Sequence, residues 1–276
     1  MGLSNPRNSY INTTQTMKIT VIGAGAMGGS TVEGMLKLQS LSAADITVSD
    51  PMADLARFEA QGAQVTTDNA AAVRDADVVM VFVKPWLVEQ VLKGIKDSMD
   101  YGAQTLVVIA AGVKGASILE WMDRDGSVPA TLLCIPNIAI AQLASMTFLV
   151  NVNASADREK AVKALFDQLG KTIVTTENLL GAGTTLASCG IAYAMRYVRA
   201  SSEGGVELGF KAHDAQEIVM QTMKGAVELL QASGMHPEAA IDLVTTPGGV
   251  TIKGLNEMEH AGFTSAVIRG LKAGAK

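Results

Sequence analysis

Only two cysteines occur in 276 residues, Cys134 and Cys189, too far apart in sequence to suggest a disulfide framework or a metal-ligand pair. The histidines His213, His236 and His260 form no H-E-x-x-H or related spacing, so a metal centre is not expected. Aromatic residues make up 4% of the chain, fewer than a β-sandwich core would be expected to use. No basic run exists and the formal charge is −5, which argues against a nucleic-acid partner. No apolar run approaches the roughly 18 residues of a membrane span. Residues 1–16 are polar and lack the apolar stretch of a secretory signal. They read as a disordered leader, with Met17 a natural domain start. These absences point to a soluble, cytoplasmic protein without membrane contact.

What is present is glycine, methionine and aliphatic side chain, with an apolar fraction of 48%, as in α/β enzymes whose helices pack closely. The informative stretch is Lys18-Ile-Thr-Val-Ile-Gly-Ala-Gly-Ala-Met-Gly-Gly29. A short β-rich run turns through Gly23, Gly25 and Gly28 into an apolar helical pattern, the context that gives G-x-G-x-x-G its meaning. The first glycine permits the turn, the second lets a pyrophosphate approach the backbone, and the third lets helix and strand pack closely. The amides at the start of the helix favour an anion. Gly23, Gly25, Ala26, Met27 and Gly28 are therefore candidate contacts to a dinucleotide.

Further strands are expected at 45–50, 64–66, 77–83, 105–110, 130–135, 146–151 and 172–176. Helical patterns are expected between them, including 52–60, 70–74, 116–122 and 157–169. This alternation predicts a doubly wound, Rossmann-type parallel sheet. Its ligand site should lie beyond the strand ends where the glycine turn, Asp50, Lys84, Pro85 and Ala111 converge. Asp50 ends the second strand, where such a fold meets the adenine ribose; a turn aspartate is the alternative. From 177 onward the pattern is helical, over 182–208, 214–233, 237–244 and a last helix starting at 252–261. The expected organisation is a dinucleotide-binding domain over 17–176 and an all-helical domain over 177–276, sharing a packed interface.

The second half carries a resemblance. His236-Pro237 followed by Val244-Thr-Thr-Pro-Gly-Gly-Val-Thr-Ile-Lys-Gly-Leu255 resembles the C-terminal motif of pyrroline-5-carboxylate reductases. The family's other marks appear in order: the glycine turn, Val83-Lys84-Pro85, Ile109-Ala-Ala-Gly-Val113 and Pro136-Asn137. Two stretches depart from its pattern. Ile138-Ala139 follows Pro-Asn in place of Thr-Pro, and Ala187-Ser-Cys-Gly-Ile-Ala-Tyr193 replaces Ser-Gly-Ser-Gly-Pro-Ala-Tyr.

The resemblance implies hydride transfer from NADH or NADPH to the C=N bond of 1-pyrroline-5-carboxylate, a small-molecule substrate, giving proline. It also implies a homodimer through the helical domain, with stacking into a larger ring as a further form. Asn69 matches a position near the adenosine end of the cofactor, though it would serve equally as a helix N-cap. Lys84 is a cofactor or substrate contact, or a solvated lysine at a strand end. Asn137 fixes its turn through its side chain, or touches the nicotinamide. The turn 245–251 should place the amides of Gly249, Val250 and Thr251 around the substrate carboxylate, with Thr246 closing the side. The Thr251 hydroxyl would hydrogen-bond the ring nitrogen; the alternative is that Thr246 and Thr251 only cap the helix. Asp50 leans the cofactor choice toward NADH. A β-hydroxyacid dehydrogenase would need a lysine early in the long helix, and 177–200 contains none. A dinucleotide-binding sensor without catalysis is the other alternative.

Overall fold

The computed structural model describes residues 17–275; the expected leader at 1–16 lies outside the described residues. The chain divides into two compact units, the first ending at Leu180 and the second covering Gly181–Lys276.

The first unit is built on eight strands: β1 (Ile19–Ile22), β2 (Ile46–Ser49), β3 (Gln64–Thr66), β4 (Val78–Val81), β5 (Thr105–Val108), β6 (Ala130–Ile135), β7 (Ser145–Asn151) and β8 (Gly170–Val174). Their order is β3-β2-β1-β4-β5-β6-β7-β8. Every residue of β1, β4 and β5 is buried, because these central strands are covered on both faces. Alternation divides their side chains between two cores. Val78 and Met80 face one side, with Val32 and Met35 of α1 (Ala26–Met35), Phe58 of α2 (Ala56–Glu59) and Phe166 of α6 (Ala156–Gln168). Val79 and Val81 face the other, with Leu92 and Ile95 of α4 (Val88–Ile95) and Ile118 and Met122 of α5 (Gly115–Met122).

The sheet is not wholly parallel. β7 runs antiparallel to β6, with Leu132 opposite Asn151 and Ile135 opposite Phe148, and β8 is parallel to β7. The reason is the short link between β6 and β7, which holds only a 3₁₀ turn, Ile138–Gln142. A parallel return needs a crossover of about a dozen residues or more. The helix expected over 52–60 is only Ala56–Glu59, because the Met52 and Ala53 amides before it are held by the Asp50 side chain. The helix α3 (Asn69–Ala72) is capped by Asp68, which accepts from Ala70 and Ala71, so Asn69 is not the cap.

The second unit is helical. The stretch expected as one helix over 182–208 is α7 (Leu180–Gly183), a π-helical segment Thr184–Cys189 and α8 (Gly190–Glu207). Then come α9 (Ala212–Ser233), stopped by Gly234 at φ 63°, and α10 (Pro237–Leu243). His236 caps α10, its Nδ1 accepting from the Glu238 amide at 3.3 Å. The last expected helix is two, α11 (Val250–His260) and α12 (Phe263–Gly274), broken at Gly262 with φ 82°. Few side chains here are buried, and Leu208, Leu243 and Ile268 lie open to solvent. No helix among the described residues is long and apolar enough to cross a membrane.

Candidate functional site

Strand order reverses between β1 and β4, and the C-terminal ends of these two strands open a crevice there. The crevice is a cleft of about 510 Å³ lined by Gly23, Gly25, Ala26, Met27, Asp50, Asn69 and Lys84 among others. Seven of the expected cofactor residues are thus brought to one place. Gly28, Pro85, Ala111 and Asn137 do not line it. Gly28 is buried, and a Cβ on it would lie 1.9 Å from the Gly23 oxygen, so the close turn leaves no room for a side chain there. Pro85 begins a 3₁₀ turn after Lys84, and Ala111 is exposed at the end of the β5 segment. Asn137 is buried, and its Oδ1 accepts from the Ala139 amide at 3.1 Å, fixing the 3₁₀ turn.

The glycine turn has the form a pyrophosphate needs. Gly23 adopts φ 95°, and a Cβ there would meet the Phe82 oxygen at 2.4 Å. Gly25 has open space where its Cβ would stand. The first intrahelical bond runs from the Gly29 amide to the Gly25 oxygen at 2.7 Å, so the amides of Ala26, Met27 and Gly28 have no acceptor inside the helix. No acidic residue sits in that first turn and no side chain caps it. Positive end and donors are left for an anion.

Asp50 is more constrained than its position at a strand end suggested. One carboxylate oxygen accepts from the Ala24 amide at 2.7 Å, and the other from Met52 at 2.8 Å and Ala53 at 3.1 Å. It is both the turn aspartate and a tie between β2 and the glycine loop. Asn69 accepts from the Ser49 hydroxyl at 2.6 Å, which turns it toward the strand end beside Asp50. Apolar lining residues went unnoticed in the sequence, Met52, Leu87 and Val91, and they are joined by Ile138, one of the departures from the family pattern. Met52 and Leu87 are exposed apolar side chains, a signal of a ligand-facing wall visible only once their neighbours are known.

The 245–251 turn belongs to the second unit. Pro247 and Gly248, at φ 71°, end the preceding segment, and Gly249 is the N-cap of α11. The Gly249 amide, expected to face a carboxylate, donates here to the Thr246 oxygen at 2.9 Å. Val250 and Thr251 are the first two residues of α11, where amides lack intrahelical acceptors. Among the described residues neither the Thr246 nor the Thr251 hydroxyl has a hydrogen-bond partner, so neither caps α11. Both threonines are exposed.

Comparison with known proteins covers both units. A family model described as pyrroline-5-carboxylate reductase dimerisation matches residues 177–276, and one described as NADP oxidoreductase coenzyme F420-dependent matches residues 18–112. The chain is 35% identical to pyrroline-5-carboxylate reductase 1 of Dictyostelium discoideum, over 92% of this chain and 48% of that protein. It therefore spans about half the length of that relative. It is 31% identical to pyrroline-5-carboxylate reductase 2 of the same organism, over 94% of this chain and 91% of the relative. The Methanosarcina acetivorans pyrroline-5-carboxylate reductase is 32% identical, with 92% and 96% covered. Among solved structures, a pyrroline-5-carboxylate reductase from Coxiella burnetii superposes with a TM-score of 0.84 at 25% identity, covering 94% of this chain and 96% of that one. A Plasmodium falciparum pyrroline carboxylate reductase with NADP bound has the same fold, with a TM-score of 0.84 at 22% identity, covering 94% of this chain and 95% of that one.

Proposed function

The chain belongs to the pyrroline-5-carboxylate reductase family, and from that premise we propose how its residues divide the work. It reduces 1-pyrroline-5-carboxylate to proline, with a nicotinamide dinucleotide as electron donor. The observation that carries this is identity above 30% over matches that span more than nine-tenths of the chain and therefore reach both units. Residues 17–176 bind the cofactor, and 177–276 bind substrate and form the dimer.

The cleft fits a dinucleotide. The Ala26, Met27 and Gly28 amides hold the pyrophosphate, Asp50 and Asn69 border the adenosine end, and Met52, Leu87 and Val91 give it an apolar wall. Lys84 stands exposed at the rim for a phosphate of the cofactor. Pro85, Ala111 and Asn137 shape the strand ends around these groups. The bound reduced nicotinamide supplies the hydride. A cyclic imine carries its own proton near neutrality, so the protein needs no strong general acid, and its task is placement. The Val250 and Thr251 amides hold the substrate carboxylate at the start of α11, and Thr246 flanks it. The Thr251 hydroxyl orients the ring nitrogen.

We assign the cofactor preference to NADH. A carboxylate at Asp50 accepts hydrogen bonds from ribose hydroxyls and repels a 2′-phosphate, and it already occupies the Met52 and Ala53 amides that such a phosphate would need. The chain is a homodimer, and the exposed apolar side chains of the second unit are surface for a second copy to cover. Stacking of dimers into a ring is the further assembly we propose.

Thr251→Ala tests the substrate assignment. The value of kcat/KM should fall by roughly ten- to several-hundred-fold, about 1.4–3.5 kcal/mol of transition-state stabilisation, while Tm stays nearly unchanged. Unchanged kinetics in the folded fraction with a large drop in Tm would make Thr251 structural only.

A further inference from the structure

Arg57, on α2, is the cation that follows Asp50 in the chain, and its placement is specific. Its Nη1 lies 3.0 Å from Oε1 of Glu33, and its guanidinium carbon sits 4.5 Å from the centroid of the Phe58 ring, which is fully buried. Its Nη2 occupies the space a Cβ on Gly29 would take, at 2.6 Å, and that same point is 3.1 Å from the Ala24 oxygen. The Ala24 amide is the one bonded to Asp50. The guanidinium therefore lies against the first turn of α1, and Asp50 is tied to the residue whose carbonyl faces the same spot.

Gly29 and Glu33 are one helical turn apart, on one face of α1. Glycine at 29 leaves the seat, and Glu33 draws the arginine along the helix, away from the end where the pyrophosphate and ribose are held. A free arginine at this place would be a bidentate partner for a 2′-phosphate. We propose that Glu33 is a specificity-determining residue: by holding Arg57 against Gly29 it denies that arginine to NADPH and sharpens the choice of NADH. This deepens the NADH reading of Asp50 and rests on it. Glu33 touches no cofactor in this scheme; it is a positioning residue acting through Arg57.

The test is a double-mutant cycle read by cofactor affinity rather than by turnover. Dissociation constants of NADH and NADPH are measured by titration calorimetry for the unsubstituted protein, Glu33→Gln, Arg57→Ala and the double variant, with Tm as a folding control. Glu33→Gln should tighten NADPH by roughly threefold to tenfold, the size of a charge-assisted contact at a partly exposed site, and NADH by no more than about twofold. Arg57→Ala alone should leave NADPH affinity unchanged, and in the Glu33→Gln background it should abolish the gain. A gain that survives in the double variant would reflect only the lost negative charge and would overturn the proposal. So would a Glu33→Gln protein with an unaltered NADPH-to-NADH ratio, or weakened NADPH binding in Arg57→Ala alone. A preference for NADPH in the unsubstituted protein would refute the reading of Asp50, and the cycle would still decide the role of Glu33.

Discussion

At the scale of the residue, charge and geometry at Asp50 give the sharpest expectation. Asp50→Asn keeps an oxygen for the Ala24 or Met52 amide and removes the charge. The ratio of kcat/KM for NADH over NADPH should fall about tenfold, within the roughly 1–3 kcal/mol span of a charged hydrogen bond; an unaltered ratio would mean the carboxylate does not face the ribose. The two thiols form a second case. Cys134 lies in the core on β6, and burial pushes its thiol well above the ordinary range. In a Cys189→Ser variant no thiol should react with a disulfide reagent until the protein is unfolded; fast labelling of the native variant would show that the β6 core opens. Gly23, Gly25, Asp50 and Lys84 were legible because each has a motif or a strand end to mark it, and Asn69 through the family resemblance alone. Sequence alone did not find Met52 or Leu87, whose neighbours in the cleft come from other strands. Nor did it show that the Gly249 amide is spent on Thr246, a bond decided by the turn's dihedral angles.

At the scale of the element, α1 and the β6–β7 link are one construction. A Cβ on Gly34 would lie 2.4 Å from the Ile140 oxygen, and Lys37 donates to Ala141 and, at 3.2 Å, to Gln142. The link carries Ile138 into the cleft wall, so α1 sets one side of the cleft as well as the glycine turn. Gly34→Ala should lower stability by about 1–3 kcal/mol through overpacking against backbone and weaken NADH binding with it; a variant as stable as the parent would show that the link shifts freely. Most strands were legible because their apolar runs are short and bounded, and β3 and β6 fall where the pattern put them. The direction of β7 was not, since residue periodicity is the same for parallel and antiparallel strands and only the length of the link bears on it. The π-helical segment Thr184–Cys189 was likewise hidden, because a wider turn leaves the composition of a helix untouched. Gly262, which breaks the last helix in two, was visible as a residue but had no capping pattern to mark it.

At the scale of the molecule, an α/β unit with two closed cores is followed by a helical unit that leaves apolar side chains such as Leu208 and Val250 open. The dimerisation family model covers this unit, and light scattering at micromolar concentration should give at least two chains per particle; a fully active monomer would contradict it. The property that joins the two units is catalysis. Its most direct test mixes the purified protein with NADH and 1-pyrroline-5-carboxylate and follows both reduced nicotinamide and proline in the same sample. The predicted result is loss of reduced nicotinamide matched by an equal amount of proline, with neither change when the pyrroline is left out. Saturable binding of NADH with no oxidation and no proline in the presence of the pyrroline would contradict it and leave a dinucleotide-binding protein without this chemistry.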